Sequence, residues 1–347
     1  VTDRLVLPRP DDWHAHLRDG DTARAVVPHS AVFHRVVAMP NLVPAITDAD
    51  AARAYVARLT DALPRGATTH FLATAYLTDH TDPSALVAGH AAGAWVAAKW
   101  YPARATTNSH AGVTDPRHLR PALRRMADVG MPLLVHGEVT DAHVDVFDRE
   151  AVFLREVLAP IVAELPDLRV VVEHATTREA VDFVAARPRN VAATLTPHHL
   201  RWNRGALFDG GLRPHAYCLP VLKREEHRRA LVAAATSGDP RFFAGTDTAP
   251  HPVSKKEADC GCAGVFNAPT ALAAYAQAFD EAGRLDHLAG FLSQHGAAFY
   301  GLPPAPDTIT LERAPWTPPE VVALPQGGHV RVFLGGEVLP WRVAGVS

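Results

Sequence analysis

Cysteine is scarce here: three in 347 residues. An odd and low count argues against a disulfide framework and fits a reducing compartment. No apolar run approaches the ~20 residues that a membrane-spanning helix needs. Charge of one sign is also missing. A formal charge of -3 leaves no electrostatic footprint for nucleic acid or an anionic membrane. The opening Val-Thr-Asp-Arg-Leu has no signal-peptide pattern, and the expectation is a cytoplasmic protein. Lysine is nearly absent, at positions 99, 223, 255 and 256, so a lysine inside an apolar segment is conspicuous.

The chain does contain a large potential core, with 48% apolar and 20% charged residues, the proportions of a globular protein. It also has twenty histidines, several of them at the ends of apolar runs. β-rich runs are expected at residues 13–17, 35–39, 69–76, 95–100, 132–136, 169–174, 191–195 and 242–246. Helical spacing is clearest over 48–63, 117–129, 148–165, 176–186 and 224–237. The fourth helix opens Thr176-Thr177-Arg178-Glu179, the pattern of a capping box. Eight strands, each followed by a helix or a long loop, predict an α/β fold of the (β/α)8 TIM-barrel type over residues 1–302. A doubly wound sheet is the competitor, but no Gly-x-Gly-x-x-Gly turn follows the first strand. Two further helices are expected at 269–282 and 285–300. A Pro-rich tail over 303–347, with short extended runs at 308–311 and 330–334, reads as an appendage packed on the barrel.

Active sites of such barrels sit at the C-terminal strand ends. The first strand ends in His14 and His16, two imidazoles that alternation sets on one face. Arg18 follows, with a guanidinium suited to a carboxylate. The fourth strand carries Lys99, the fifth ends in His136, the sixth in His174, and the eighth in Asp247, with His251 shortly after. Singly, each has an ordinary reading: a hydrogen-bonded core histidine, a turn aspartate, a snorkelling lysine. Together, five of eight strand ends present a group able to bind a divalent metal around one mouth. A protonated lysine would repel cations there. A neutral one can add carbon dioxide, and the resulting carbamate can bridge two metals about 4 Å apart. Imidazole and carboxylate ligands favour zinc.

That set of strand-end groups resembles the amidohydrolase superfamily. Narrower words, Asp-Trp-His-Ala-His-Leu-Arg-Asp-Gly, Ala-Met-Pro-Asn-Leu, Lys-Trp-Tyr-Pro-Ala-Arg-Ala-Thr-Thr-Asn-Ser, Tyr-Cys-Leu-Pro and Gly-Thr-Asp-Thr-Ala-Pro-His with Cys-Gly-Cys-Ala-Gly, resemble the dihydroorotase family in its shorter monofunctional bacterial form. The match runs from about His14 to Tyr300. The resemblance implies two Zn2+ per subunit: His14, His16 and Asp247 on one, His136 and His174 on the other. N6-carboxylysine at Lys99 and a hydroxide would bridge them. It implies Asp247 as the catalytic proton carrier, and Arg18, Asn41, Leu219, His251 and Ala263 as substrate contacts. Thr106 and Thr107 would belong to a mobile loop that closes over the substrate. The implied reaction is the reversible cyclisation of N-carbamoyl-L-aspartate to L-dihydroorotate in de novo pyrimidine synthesis, in a homodimer.

Two rival functions stay open on the residues alone. One is a hydantoinase-like cyclic-amide hydrolase on the same scaffold. The other is a catalytically silent barrel that scaffolds a partner enzyme. Cys260-Gly-Cys262 is one pair without a second and is poor zinc-site evidence; both are expected to be reduced thiols near Cys218. His198 and His199 close the seventh strand, which the resemblance leaves without a ligand. Glu138 is expected to support His136 rather than to ligate.

Overall fold

The computed structural model describes residues 3–259 and 261–347. Eight parallel strands follow one another in chain order around a barrel. They are β1 (Asp11–Ala15), β2 (Arg35–Ala38), β3 (His70–Tyr76), β4 (Ala97–Trp100), β5 (Leu133–Val135), β6 (Val170–Val172), β7 (Val191–Leu195) and β8 (Phe242–Ala244). The expected TIM barrel is therefore the observed fold. Most strands stop one or two residues before the polar group that closes each apolar run. β1 is shifted more, ending at Ala15, so His16 lies just beyond it rather than inside.

The seam between β8 and β1 is held largely by side chains and loop backbone. Asp12 accepts from the Thr246 amide (2.8 Å), the Thr246 hydroxyl (2.6 Å) and the His14 amide (3.2 Å). The amide of Asp247 donates to the His14 carbonyl and that of His16 to the Thr248 carbonyl, each at 2.8 Å. The inner face of the barrel is filled by Trp13, Val37, Met39, Ala97, Leu134, Val171, Ala192 and Phe243. Phe299 joins that cluster, and Tyr300 stacks on Trp13 with ring centroids 4.4 Å apart. Gly296 permits this approach, because a Cβ there would sit 2.0 Å from the Trp13 indole nitrogen. A larger apolar layer, including Val36, Ala98, Val135 and Val172, lies between the strands and the surrounding helices.

Local chemistry explains the helices. α1 (Ala49–Asp61) is capped by Asp48, which accepts from the Ala51 amide, and it buries Ala52, Tyr55 and Leu59 on one face. α2 (Arg120–Val129) ends where Gly130 turns left-handed at φ 68°. The single helix expected over 148–165 is three pieces: Arg149–Phe153, a π turn over Leu154–Leu158, and Ala159–Glu164. Pro160 has no N–H for the carbonyl four residues back, and the turn beside it widens. The expected capping box at Thr176 does not form. Thr177 is the cap of Arg178–Ala185, accepting from Ala180, and Glu179 faces His227 instead (3.5 Å).

Both ends of the chain build a second, antiparallel sheet in which Thr308–Trp316 lies between Arg4–Pro8 and Leu339–Val346. A hairpin of Val321–Ala323 and His329–Arg331 reaches back to the barrel. Its Val330 bridges Pro252, and the Phe333 amide donates to the Phe266 carbonyl (2.8 Å). The tail thereby braces the segment after β8.

Candidate metal centre and substrate pocket

The ends of β1 and β8 bring His14, His16 and Asp247 together. The two Nε2 atoms lie 3.3 Å apart, and Asp247 Oδ1 lies 3.4 Å from the first and 3.2 Å from the second. The proton on each ring is accounted for elsewhere. Glu173 Oε2 lies 2.6 Å from His14 Nδ1, and Asn41 Oδ1 lies 2.8 Å from His16 Nδ1. These oxygens only accept, so each Nδ1 carries the hydrogen and each Nε2 presents a lone pair. Burial first, then nearby Lys99, holds His14 well below the ordinary histidine range; burial lowers His16 as well. Two lone pairs and a carboxylate face one another with no proton between them. That arrangement repels itself unless a cation sits among them, and the donor set fits a divalent metal.

Beside this trio stand Lys99, His136 and His174. His136 Nε2 lies 2.7 Å from Glu138 Oε2, which leaves Nδ1 as the free ring nitrogen. His174 Nδ1 is buried with no hydrogen-bond partner among the described residues, and its ring packs edge-on against those of His14 and His136, with centroids 5.0 and 4.9 Å away. Lys99 Nζ is also buried with no hydrogen-bond partner among the described residues, 5.1 Å from the centre of the Tyr101 ring. Burial draws its pKa down to about 8. A buried amine and imidazole nitrogen left unpaired are costly unless another group engages them. His174, Asp247 and Arg18 all adopt positive φ, at 41°, 48° and 61°. Such backbone in non-glycine residues costs of order 1–3 kcal/mol each and clusters at functional sites.

Of the expected substrate and loop residues, all but His251 line the same narrow pocket. Arg18, Asn41, Thr106, Thr107, Leu219 and Ala263 surround it together with His16, His136, His174 and Asp247. Arg18 Nη2 donates to His251 Nε2 (2.8 Å), and that nitrogen lies 3.0 Å from the Ala263 carbonyl. Burial, then Arg18, pushes His251 down to about 2, so it is neutral at physiological pH. Asn41 does more than face the pocket: its oxygen takes the His16 proton, and its amide donates to the Thr107 carbonyl (3.0 Å). Asn108 returns a bond to the Asn41 carbonyl (2.9 Å). The Thr106–Thr107 loop is thus latched down, and the cavity beneath measures about 20 Å³, room for about one water. Admitting a six-membered ring requires the latch or the Arg18–His251 pair to move. A larger cavity of about 440 Å³, lined by Trp202, Phe266 and Phe333, shares Gly264 with this pocket and also borders His251.

No protein-family model matches the chain. A dihydroorotase of Sphingopyxis alaskensis is 56% identical over 344 residues, covering 99% of this chain and 100% of its own. One of Parasynechococcus marenigrum is 55% identical over 344 residues, 99% of each. Among solved structures, dihydroorotase from Saccharomyces cerevisiae in complex with 5-fluoroorotic acid superposes with a TM-score of 0.91 at 31% identity, over 99% of this chain and 98% of its own. Dihydroorotase from Campylobacter jejuni gives 0.90 at 32%, over 99% of each. The chain belongs to the dihydroorotase family. L-Hydantoinase from Arthrobacter aurescens, with a TM-score of 0.81 at 17% identity over 99% of this chain and 85% of its own, shares the fold.

Within this dihydroorotase-family barrel, three supporting residues were not singled out from sequence. Glu173 orients His14 while accepting the Thr194 hydroxyl (2.6 Å), and Asp12 stitches the seam beneath both histidines. The only sequence signal for Glu173 is its place beside His174 at a strand end. Tyr101 lines the pocket with a buried hydroxyl that has no hydrogen-bond partner among the described residues. His198, His199 and Cys218 also converge behind the pocket, but their protons are already assigned. Asn267 donates to His198 Nδ1, which puts the hydrogen on Nε2. The Thr196 hydroxyl and the Pro220 carbonyl occupy both nitrogens of His199, and Cys218 Sγ donates to the Pro220 carbonyl. Neither ring offers the thiol side a lone pair, so this trio is wall rather than ligand set. Cys218 and Cys262 are free thiols; Cys260 lies outside the described residues.

Proposed function

We propose that this barrel works as a zinc-dependent dihydroorotase, interconverting N-carbamoyl-L-aspartate and L-dihydroorotate in pyrimidine synthesis. The observation that carries the reading is the facing pair of Nε2 lone pairs at 3.3 Å beside Asp247, with a fully buried, partnerless Lys99 next to them. His14, His16 and Asp247 would hold one ion, and His136 and His174 the second. Lys99 would serve both as its carbamate, formed from the neutral amine and carbon dioxide with loss of one proton. The two ions supply an activated water near neutral pH and polarise the ring carbonyl.

The remaining work falls to the chain. Arg18 can grip the substrate carboxylate with two parallel N–H bonds once that anion replaces His251 as its partner. His251, then free of Arg18, can hold its hydrogen on Nε2 and donate. Asn41 keeps the His16 ring in register while its amide holds the loop that excludes water. In ring opening a C–O bond forms at the amide carbon and the C–N bond breaks. Asp247 takes the proton released by the attacking water on its carboxylate and delivers it to the departing nitrogen. Cyclisation runs the same transfers backwards. A guanidinium at the mouth favours a carboxylate-bearing ring over a hydantoin. For location the reading is cytoplasmic, supported by the low cysteine count; for assembly it is the homodimer that the family resemblance implies.

An ultraviolet assay of L-dihydroorotate hydrolysis tests the function. Turnover should appear in enzyme loaded with zinc, vanish after chelation and return on adding zinc back. Activity that survives complete metal removal contradicts the reading.

A further inference from the structure

Lys256 is one of only four lysines among 34 basic residues, and it is buried. Among the described residues its ammonium makes three hydrogen bonds, all to peptide carbonyls: Tyr217 at 2.8 Å, Cys262 at 2.9 Å and Gly264 at 2.8 Å. These acceptors come from two separate segments. One leads into Leu219, and the other brackets Ala263. Both residues line the pocket together with Arg18 and Asn41.

We infer that Lys256 is a positioning residue for substrate recognition, holding the Tyr217–Leu219 and Cys262–Gly264 backbones together as one rigid wall of the pocket. Peptide units are planar and trans, so fixing a carbonyl fixes the N–H on the opposite edge of the same unit. Gripping the Cys262 carbonyl turns the Ala263 N–H away from Lys256. Gripping the Gly264 carbonyl does the same for Val265, whose own carbonyl accepts from Ala249 (2.8 Å). The unit between them is pinned too, because the Gly264 amide donates to the Tyr217 carbonyl (3.0 Å). Three consecutive peptide planes at the pocket wall are therefore set, with Lys256 at the hub. Gly264 itself has φ 148°, and a Cβ would meet the Ala249 carbonyl at 2.5 Å, so only glycine fits at this point of the wall.

The residue type matters. An ammonium directs three donors at about tetrahedral angles onto three converging oxygens, whereas a guanidinium spreads its donors in one plane. In a chain that uses arginine for nearly every other positive charge, a buried lysine with no carboxylate among its acceptors points to that geometry.

This inference rests on the dihydroorotase reading, and wild-type turnover of L-dihydroorotate tests that reading separately. The test of Lys256 uses the full-length, zinc-loaded enzyme with Lys256→Met and Lys256→Arg. Metal content should match wild type in both, kcat should stay within about threefold, and KM for dihydroorotate should rise at least fivefold. A merely structural loss lowers the active fraction, and so the apparent kcat, without moving KM. Lys256→Arg keeps a charged donor and decides the matter if Lys256→Met does not accumulate folded. A folded variant whose KM rises less than fivefold overturns the inference, as does one whose deficit is confined to kcat.

Discussion

The carboxylate of Glu173 meets Nδ1 of His14 at 2.6 Å, across 159 positions of chain and with both side chains fully buried. That contact decides which nitrogen of His14 is free. A carboxylate can only accept there, so the lone pair on Nε2 is directed at His16 and Asp247. Glu173→Gln offers an amide that can donate to Nδ1 and drive the hydrogen to Nε2. Zinc affinity should fall about 10–100-fold, read by chelator titration of the loaded enzyme. Unchanged affinity would show that the tautomer is set in some other way.

Lys99→Ala removes the amine that stands partnerless among the histidines. Without a group to span the two halves of the donor set, the variant should lose at least one metal and nearly all activity. Short carboxylic acids should restore part of it by supplying two oxygens where the carbamate would be. Metal analysis alongside rates, with and without added acetate or propionate, reads the result; a wild-type rate in the unrescued variant would sink the bridging role.

Arg18→Met keeps the volume of the side chain and deletes its donors. Two charge-assisted hydrogen bonds to a substrate carboxylate are worth about 3 kcal/mol, so kcat/KM for dihydroorotate should drop roughly 100-fold. Metal content should stay the same, because Arg18 bonds His251 and the Pro250 carbonyl rather than any of the residues that would hold the metals. Full turnover of dihydroorotate by this variant would mean the carboxylate is held elsewhere.

Asp280 anchors the tail sheet to the barrel's outer helices. Arg313 binds it bidentately at 2.6 and 2.8 Å, and Trp341 adds an indole N–H at 3.1 Å. The Arg313 bonds hold its carboxyl below the usual carboxylate value. Because the folded pKa is the lower one, this stabilisation is present above the unfolded value of about 4 and fades as pH falls through the folded one. Asp280→Asn should lower Tm at pH 7 by about 2–4 °C. The gap to wild type should persist to about pH 5 and close below pH 4. A gap independent of pH would assign the loss to packing instead.

Strand ends were legible because each is a short apolar run stopped by one polar group, and a barrel gathers all such stops on one rim. His14, His136, His174 and Asp247 could be collected that way without coordinates. Limits of elements were less legible. The 148–165 helix reads as continuous until Pro160 is weighed against the carbonyl it fails to satisfy, and the Thr176 capping box competes with Thr177 one residue on. The second sheet was hidden for a simpler reason: its outer strand Arg4–Pro8 pairs with residues some 300 positions away.

What the sequence determined on its own is the kind of donor at each rim position, since residue type and strand periodicity are local properties. What only the tertiary structure decided is which atom of each donor is free and which way it points. Glu173 selects the His14 tautomer, Asn41 both orients His16 and latches the Thr107 loop, and Lys256 aims two backbones at one wall. Each of these depends on hydrogen bonds between segments far apart in the chain, and a proton's position is settled by the partner it meets in space.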